Sequence, residues 1–211
     1  MDRIGQTPWQ TVGPFFHYAL PWRGGADLVG TGSDLGARPD LIPAGHDRLA
    51  RHSRAAPVTG DALEIVGVVT DLDGAPVGDA LIEIWQADAA GVYASPDDPR
   101  FIAGGAFSGF GRAATDEDGG YRFRTLRPGG VPGPDGRPQA PHLAVGVFGR
   151  GLLKRLVTRI YFAHDPANAE DAILALVPEG RRRTLLARPE GQTWRFDIRL
   201  SGPDETVFFD L

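Results

Sequence analysis

At 211 residues with no cysteine, the chain is long enough to bury a core of its own, and it can form neither a disulfide framework nor a thiolate metal site. Its 27 acidic and 22 basic residues leave a formal charge of −5, which gives no reason to expect nucleic acid or an anionic membrane as a partner. No apolar run reaches the roughly 20 residues that span a bilayer, and the opening Met1-Asp2-Arg3-Ile4-Gly5 lacks the basic-then-apolar form of a signal peptide, so the expected location is the cytoplasm.

The first 22 residues form an arm with Trp9, Phe15, Phe16, Tyr18 and Trp22. Pro8, Pro14 and Pro21 break it too often for a helix. Such rings must be buried, either on the arm's own domain or on a neighbouring subunit. Residues 23–60 are rich in Gly, Ala, Pro, Asp and Arg without a sustained period and read as a long irregular excursion. His46 and His52 lie there without flanking carboxylates and read as solvated.

A sheet begins at Ala62–Thr70. Asp71-Leu72-Asp73-Gly74 supplies the tight turn, and Ala80–Gln86, nearly continuous in apolar residues, is expected to return antiparallel to the first strand, buried on both faces. A calcium reading of Asp71/Asp73 or Asp116/Asp118 fails for want of the full ligand ladder. After a Pro- and Gly-containing loop over 94–112, Asp118-Gly119 turns into a strand with Tyr121, Phe123 and Thr125 on one face and Arg122 and Arg124 on the other. Pro141–Phe148 is a further strand. In Leu152–Phe162, Leu156, Ile160 and Phe162 alternate with Arg155, Arg159 and Tyr161, which are expected outward. Asp165–Val177 reads as a short helix with an acidic first turn, Gly180–Arg183 as a solvated basic patch, and Trp194–Leu200 as the most regular alternating strand, closed by Thr206–Phe209. With 29 Gly and 18 Pro, the whole reads as one mainly β domain over residues 1–211: a two-sheet β-sandwich with long loops and a few short helices.

Two stretches carry a resemblance. Ile84-Trp85-Gln86-Ala87-Asp88-Ala89-Ala90-Gly91-x-Tyr93 and Gly109-Phe110-Gly111-Arg112-x-x-Thr115-Asp116-x-x-Gly119-x-Tyr121-x-Phe123-Arg124-Thr125-x-x-Pro128-Gly129 resemble the intradiol ring-cleaving dioxygenases. The likeness extends from Gln10-Thr11-x-Gly13-Pro14-Phe15 to Glu205–Asp210. Within that family the wording is most similar to the α chains of enzymes that cleave protocatechuate with O2 and are built from two kinds of chain. The resemblance implies that Tyr93 occupies a place where family members carry a ferric ligand, a phenolate being a hard donor suited to Fe³⁺. Iron-holding chains add a second Tyr after the Pro-Gly and a His-x-His pair, which one strand face presents to a single metal.

Here Val131 stands at the second Tyr position, His142 at the first His and Ala144 at the second. Gln139 replaces an arginine. Tyr93 and His142 are two donors where catalytic sites use at least three, so no iron is expected in this chain. The ferric ion is expected in an iron-bearing β subunit of the same fold, and the isolated chain is expected to be inactive. The resemblance further implies that Thr11, Gly13, Pro14 and Arg150 form part of the wall of that partner's substrate pocket, with Arg150 able to hold a carboxylate. The reaction implied is cleavage of protocatechuate to 3-carboxy-cis,cis-muconate. Two other readings stay open: a non-catalytic β-sandwich interaction domain that has lost its metal site, and a self-sufficient dioxygenase with an altered iron site.

Overall fold

A computed structural model describes residues 5, 7–21, 25–30, 58–102, 106–133 and 136–210. His46, His52, Trp22 and most of the 23–60 excursion lie outside the described residues.

The chain is mainly β with a few short helices, as its composition implies. In chain order the strands are β1 (Ala62–Thr70), β2 (Leu81–Trp85), β3 (Phe110–Ala114), β4 (Gly120–Leu126), β5 (Val131–Pro132), β6 (Pro138–Gln139), β7 (His142–Phe148), β8 (Leu156–Phe162), β9 (Leu186–Glu190), β10 (Thr193–Arg195) and β11 (Ile198–Arg199). The helices are α1 (Phe16–Ala19) and α2 (Glu179–Arg182), with 3₁₀ turns elsewhere. Nine of the strands join in one sheet, eight along a single hydrogen-bonded path with β4 attached to β1, and β5 and β6 make a small sheet of their own.

The path bends at β9. Leu186 and Ala187 pair parallel with Tyr161 and Phe162 of β8, while Arg188, Pro189 and Glu190 pair antiparallel with β10. On one side of this joint lie β8, β7, β2 and β3; on the other lie β10, β11, β1 and β4. The main core draws Ile82, Ile84, Leu143, Val145 and Ile160 from the first group and Ile65, Val69, Phe123, Phe196 and Ile198 from the second. A smaller cluster of Ala140, Tyr161, Leu174, Val177 and Leu185 fills the far side of β7 and β8.

β4 alternates as expected, with Tyr121, Phe123 and Thr125 buried and Arg122 and Arg124 exposed. Five expectations need correction. The loop read over 94–112 ends early, because Phe110–Ala114 is a strand, β3, pairing with β2. β2 does not return on β1: after an isolated bridge between Thr70 and Pro76, the chain crosses over and β2 pairs with β3 and β7, a central position that its continuous apolar run suits. β1 pairs instead with β4, β10 and β11.

Trp194–Leu200 is two strands, because Gly67 meets Phe196 so closely that a Cβ at Gly67 would lie 1.8 Å from the Phe196 carbonyl oxygen. Asp197 Oδ1 then accepts from Val68 N at 3.0 Å, bridging the gap in the ladder. The segment Asp165–Val177 is a pair of 3₁₀ turns, Pro166–Ala169 and Leu174–Leu176. Asp165 caps the first, and buried Asp171 accepts from Ile173 N and Leu174 N at the second. Finally, Tyr161 is buried and Arg159 half-buried, not outward.

Candidate functional site

The residues singled out above gather at the two ends of β7. At its start lie His142 and Ala144, with Tyr93 on a neighbouring loop and Val131 on β5. The loop after β2 is folded by Asp88, whose Oδ1 accepts from Ala90 N and Val92 N, both at 2.9 Å. Gly91, at φ 75°, then packs against Gly130 so tightly that a Cβ would stand 2.1 Å from its oxygen. Gly129 N closes the contact by donating to Asp88 O at 2.8 Å. This glycine-to-glycine approach places Tyr93 and Val131 in the wall of one cavity of about 360 Å³, together with Trp85, Arg100 and Pro132.

Tyr93 stacks on Trp85 at 6.0 Å. Burial raises the proton affinity of its phenol, so it stays neutral at neutral pH, although the charge of Arg159 works the other way. Asp98 accepts from Tyr93 N at 3.1 Å, and Arg100 holds its carboxyl well below the usual carboxylate range through a two-point contact.

His142 is buried, with its Nδ1 donating to Ala140 O at 2.8 Å. Burial and the neighbouring Arg159 cation push its pKa down to about 4, so the imidazole is neutral. Pairing registers Trp85 opposite Ala144, and Ala144 opposite Arg159, with His142 opposite Tyr161 two residues along. Directly paired residues project on one face, so all five share the side of the sheet away from the main core. Arg159 was not singled out in the sequence, yet it reaches Gln139 Oε1 at 2.6 Å and the Tyr161 hydroxyl at 3.3 Å.

Thr11, Gly13, Pro14 and Arg150 gather at the other end of β7. Thr11 Oγ1 accepts from Gly151 N at 2.8 Å, and the Phe16 ring sits 5.7 Å from Phe148. Gly13 O accepts from Phe16 N, starting the turn that carries Gly13 and Pro14 on the surface. Arg150 pairs with Asp79 at 3.2 Å, but its side chain remains 65% exposed. The arm thus docks on its own domain through Phe16 and Thr11, while Trp9, Phe15 and Tyr18 stay about 70% exposed. His142 and Phe148 mark opposite ends of one strand, about 20 Å apart at 3.3–3.4 Å per residue.

Comparison with known proteins places this geometry. A family model described as Dioxygenase matches residues 38–202. The protocatechuate 3,4-dioxygenase alpha chain of Burkholderia cepacia is 40% identical over 221 residues, covering 100% of each chain. The chain belongs to the intradiol dioxygenase family. The protocatechuate 3,4-dioxygenase beta chain of Burkholderia cepacia is 37% identical over 185 residues, covering 79% of this chain and 76% of that one. Among solved structures, the dioxygenase domain of a dioxygenase carbohydrate-binding protein fusion from Streptomyces sp. SirexAA-E matches with a TM-score of 0.55 at 26% identity, covering 94% of this chain and 100% of that one.

The dioxygenases of this family use ferric iron, and the residues at the start of β7 do not fit it. Val131 and Ala144 offer no donor atom, so only Tyr93 and His142 remain where a catalytic site uses at least three protein ligands, and Arg159 adds a fixed positive charge across from Ala144. Among the described residues no group of three or more His, Cys, Asp or Glu side chains could hold a metal. Nor, among them, is any helix long and apolar enough to cross a membrane.

Proposed function

We propose that this chain is the α subunit of a protocatechuate 3,4-dioxygenase, and that an iron-bearing β subunit of the same fold completes it. The pair would cleave protocatechuate with O2 to 3-carboxy-cis,cis-muconate in the cytoplasm. Ferric iron, held by the β subunit, supplies the electrophilic centre that binds and activates the diol. In this reading residues 1–211 form a single domain whose sheet path folds at β9 into the two facing layers of a sandwich, with residues 1–22 as its arm.

The observation that carries the proposal is the hydrogen bond from Gly151 N to Thr11 Oγ1. It ties the arm next to Arg150, the neighbour of Gly151, and Gly13 and Pro14 are exposed on the same arm. Thr11, Gly13, Pro14 and Arg150 are the wall this chain would lend to the partner's pocket. Arg150 is suited to the carboxylate of protocatechuate because a guanidinium makes two parallel charge-assisted bonds. In the free chain Asp79 occupies the guanidinium, and the incoming substrate carboxylate would compete for it. The three exposed rings of the arm supply apolar area for the subunit contact.

The test is reconstitution. The full chain purified alone is expected to be colourless and inactive, and mixing with a β-type chain bearing two tyrosines and a His-x-His pair is expected to give ring cleavage. Arg150→Ala in that mixture should raise KM for protocatechuate by about ten-fold or more with a smaller change in kcat. Stoichiometric iron in the chain alone, or activity without a partner, would overturn the α-subunit assignment. Unchanged KM and kcat would return Arg150 to the ordinary surface.

A further inference from the structure

The pocket at the start of β7 lacks donors, but it also contains something that donor counting does not anticipate. Ala144 lies in the central row of the sheet face between Trp85 and Arg159. A methyl side chain there leaves the space above it open, and the long side chain paired opposite can lie across it. Arg159 is held by two partners at one nitrogen: Gln139 Oε1 accepts from its Nη1 at 2.6 Å, and the Tyr161 hydroxyl stands 3.3 Å from the same nitrogen. Neither partner is loose. Gln139 Nε2 donates to Pro132 O at 3.3 Å, next to Val131, and the Tyr161 hydroxyl donates to Asp171 Oδ1 at 3.1 Å. Asp171 is buried and also accepts from Ala140 N, Ile173 N and Leu174 N. The chain of bonds therefore runs from a buried carboxylate to a guanidinium beside Tyr161, whose ring lies 5.6 Å from that of His142, while Trp85, across Ala144 from Arg159, stacks on Tyr93 at 6.0 Å.

We infer that Arg159 stands in place of the metal: its fixed guanidinium puts positive charge beside His142 and Tyr93 and keeps metal cations away from them. This inference rests on the reading that the chain holds no iron of its own, and it adds the cause. Loss of donors at 131 and 144 makes a metal bind weakly, whereas a resident cation repels any metal that arrives even when donors are restored. An arginine suits this role better than lysine, because it is weakly hydrated, cannot lose its proton, and makes planar contacts with two fixed acceptors at once. Arg159 is a positioning residue here and takes no part in ring cleavage.

Restoring donors with and without the arginine tests the inference in the full chain. In Val131→Tyr/Ala144→His, with Arg159 kept, ferric iron is expected to stay out. Adding Arg159→Leu is expected to raise bound iron by about ten-fold or more, toward one ion per chain, with the visible absorption of tyrosinate-to-iron charge transfer. Arg159→Lys in the same background should still exclude iron. If the four-donor chain does not fold, Ala144→His with and without Arg159→Leu decides by the same absorption band, since Tyr93, His142 and the new imidazole make three donors.

Iron entering the donor-restored chain while Arg159 remains would overturn the inference and leave the α-subunit reading intact. Failure of the folded Arg159→Leu chain to take iron would also overturn it, since something other than the arginine then excludes the metal. Stoichiometric iron in the natural chain would overturn both.

Discussion

His142 sits in surroundings that hold it neutral. Its ring is buried, its Nδ1 is tied to Ala140 O, and its pKa of about 4 lies below the ordinary 6.5. The unfolded chain therefore binds a proton between those two values that the folded chain does not, so stability is full above about pH 6.5 and falls as the pH drops through this window. The contribution should approach about 1.4 kcal/mol per pH unit in mid-window. Urea unfolding followed from about pH 7 down to about pH 4.5 measures it, and His142→Asn should remove that part of the slope; an unchanged slope would mean that His142 is not buried neutral. The family resemblance singled out Tyr93, Val131, His142 and Ala144, and the fold sets Tyr93 and Val131 in one cavity wall with Trp85, which pairs across from Ala144. Reading the sequence missed Arg159, since alternation alone assigns an arginine to the solvent side. The signal was nonetheless present: folding the hairpin about Gly151 and Leu152 sets Arg159 directly across from Ala144, and a long side chain facing a methyl group in the middle of a sheet has somewhere to go.

At the level of strands, the most informative element is the break between β10 and β11. Trp194 to Leu200 alternates without interruption, so the sequence reads as one strand, yet both halves pair parallel with β1 and part at Phe196 and Asp197. The cause lies across the sheet: Gly67 lets the Phe196 carbonyl come in, and the Tyr121 hydroxyl donates to that carbonyl at 2.5 Å. A side chain at 67 would collide with backbone, which cannot swing aside. Gly67→Ala should thus destabilise the chain by about 3 kcal/mol, seen as a lowered denaturant midpoint with an unchanged slope. A shift below about 0.5 kcal/mol would show that this close approach is not maintained in solution. Crossovers share this illegibility. Period and turn chemistry located β1, β2 and β4 to within a residue or two, but the pairing of β2 with β7 depends on contacts remote in sequence that no local pattern encodes.

For the molecule as a whole, the arm divides into an inner side that docks and an outer side that does not. Phe16 and Thr11 hold it to the end of β7, whereas Trp9, Phe15 and Tyr18 face outward. Replacing these three rings by alanine should leave the melting temperature of the free chain nearly unchanged, because they bury little within it. The same change should weaken assembly with the β-type chain by about ten-fold or more, since aromatic anchors dominate interface energetics. Sedimentation of the mixture measures this, and undiminished assembly would assign the subunit contact to another face. The length of β7 matters here too. Because His142 and Phe148 stand at opposite ends of that strand, a change of donor residue at one end leaves the other end's shape untouched. On the proposed α-subunit reading, a duplicated chain with this layout is free to abandon its own chemistry while continuing to serve its sister's.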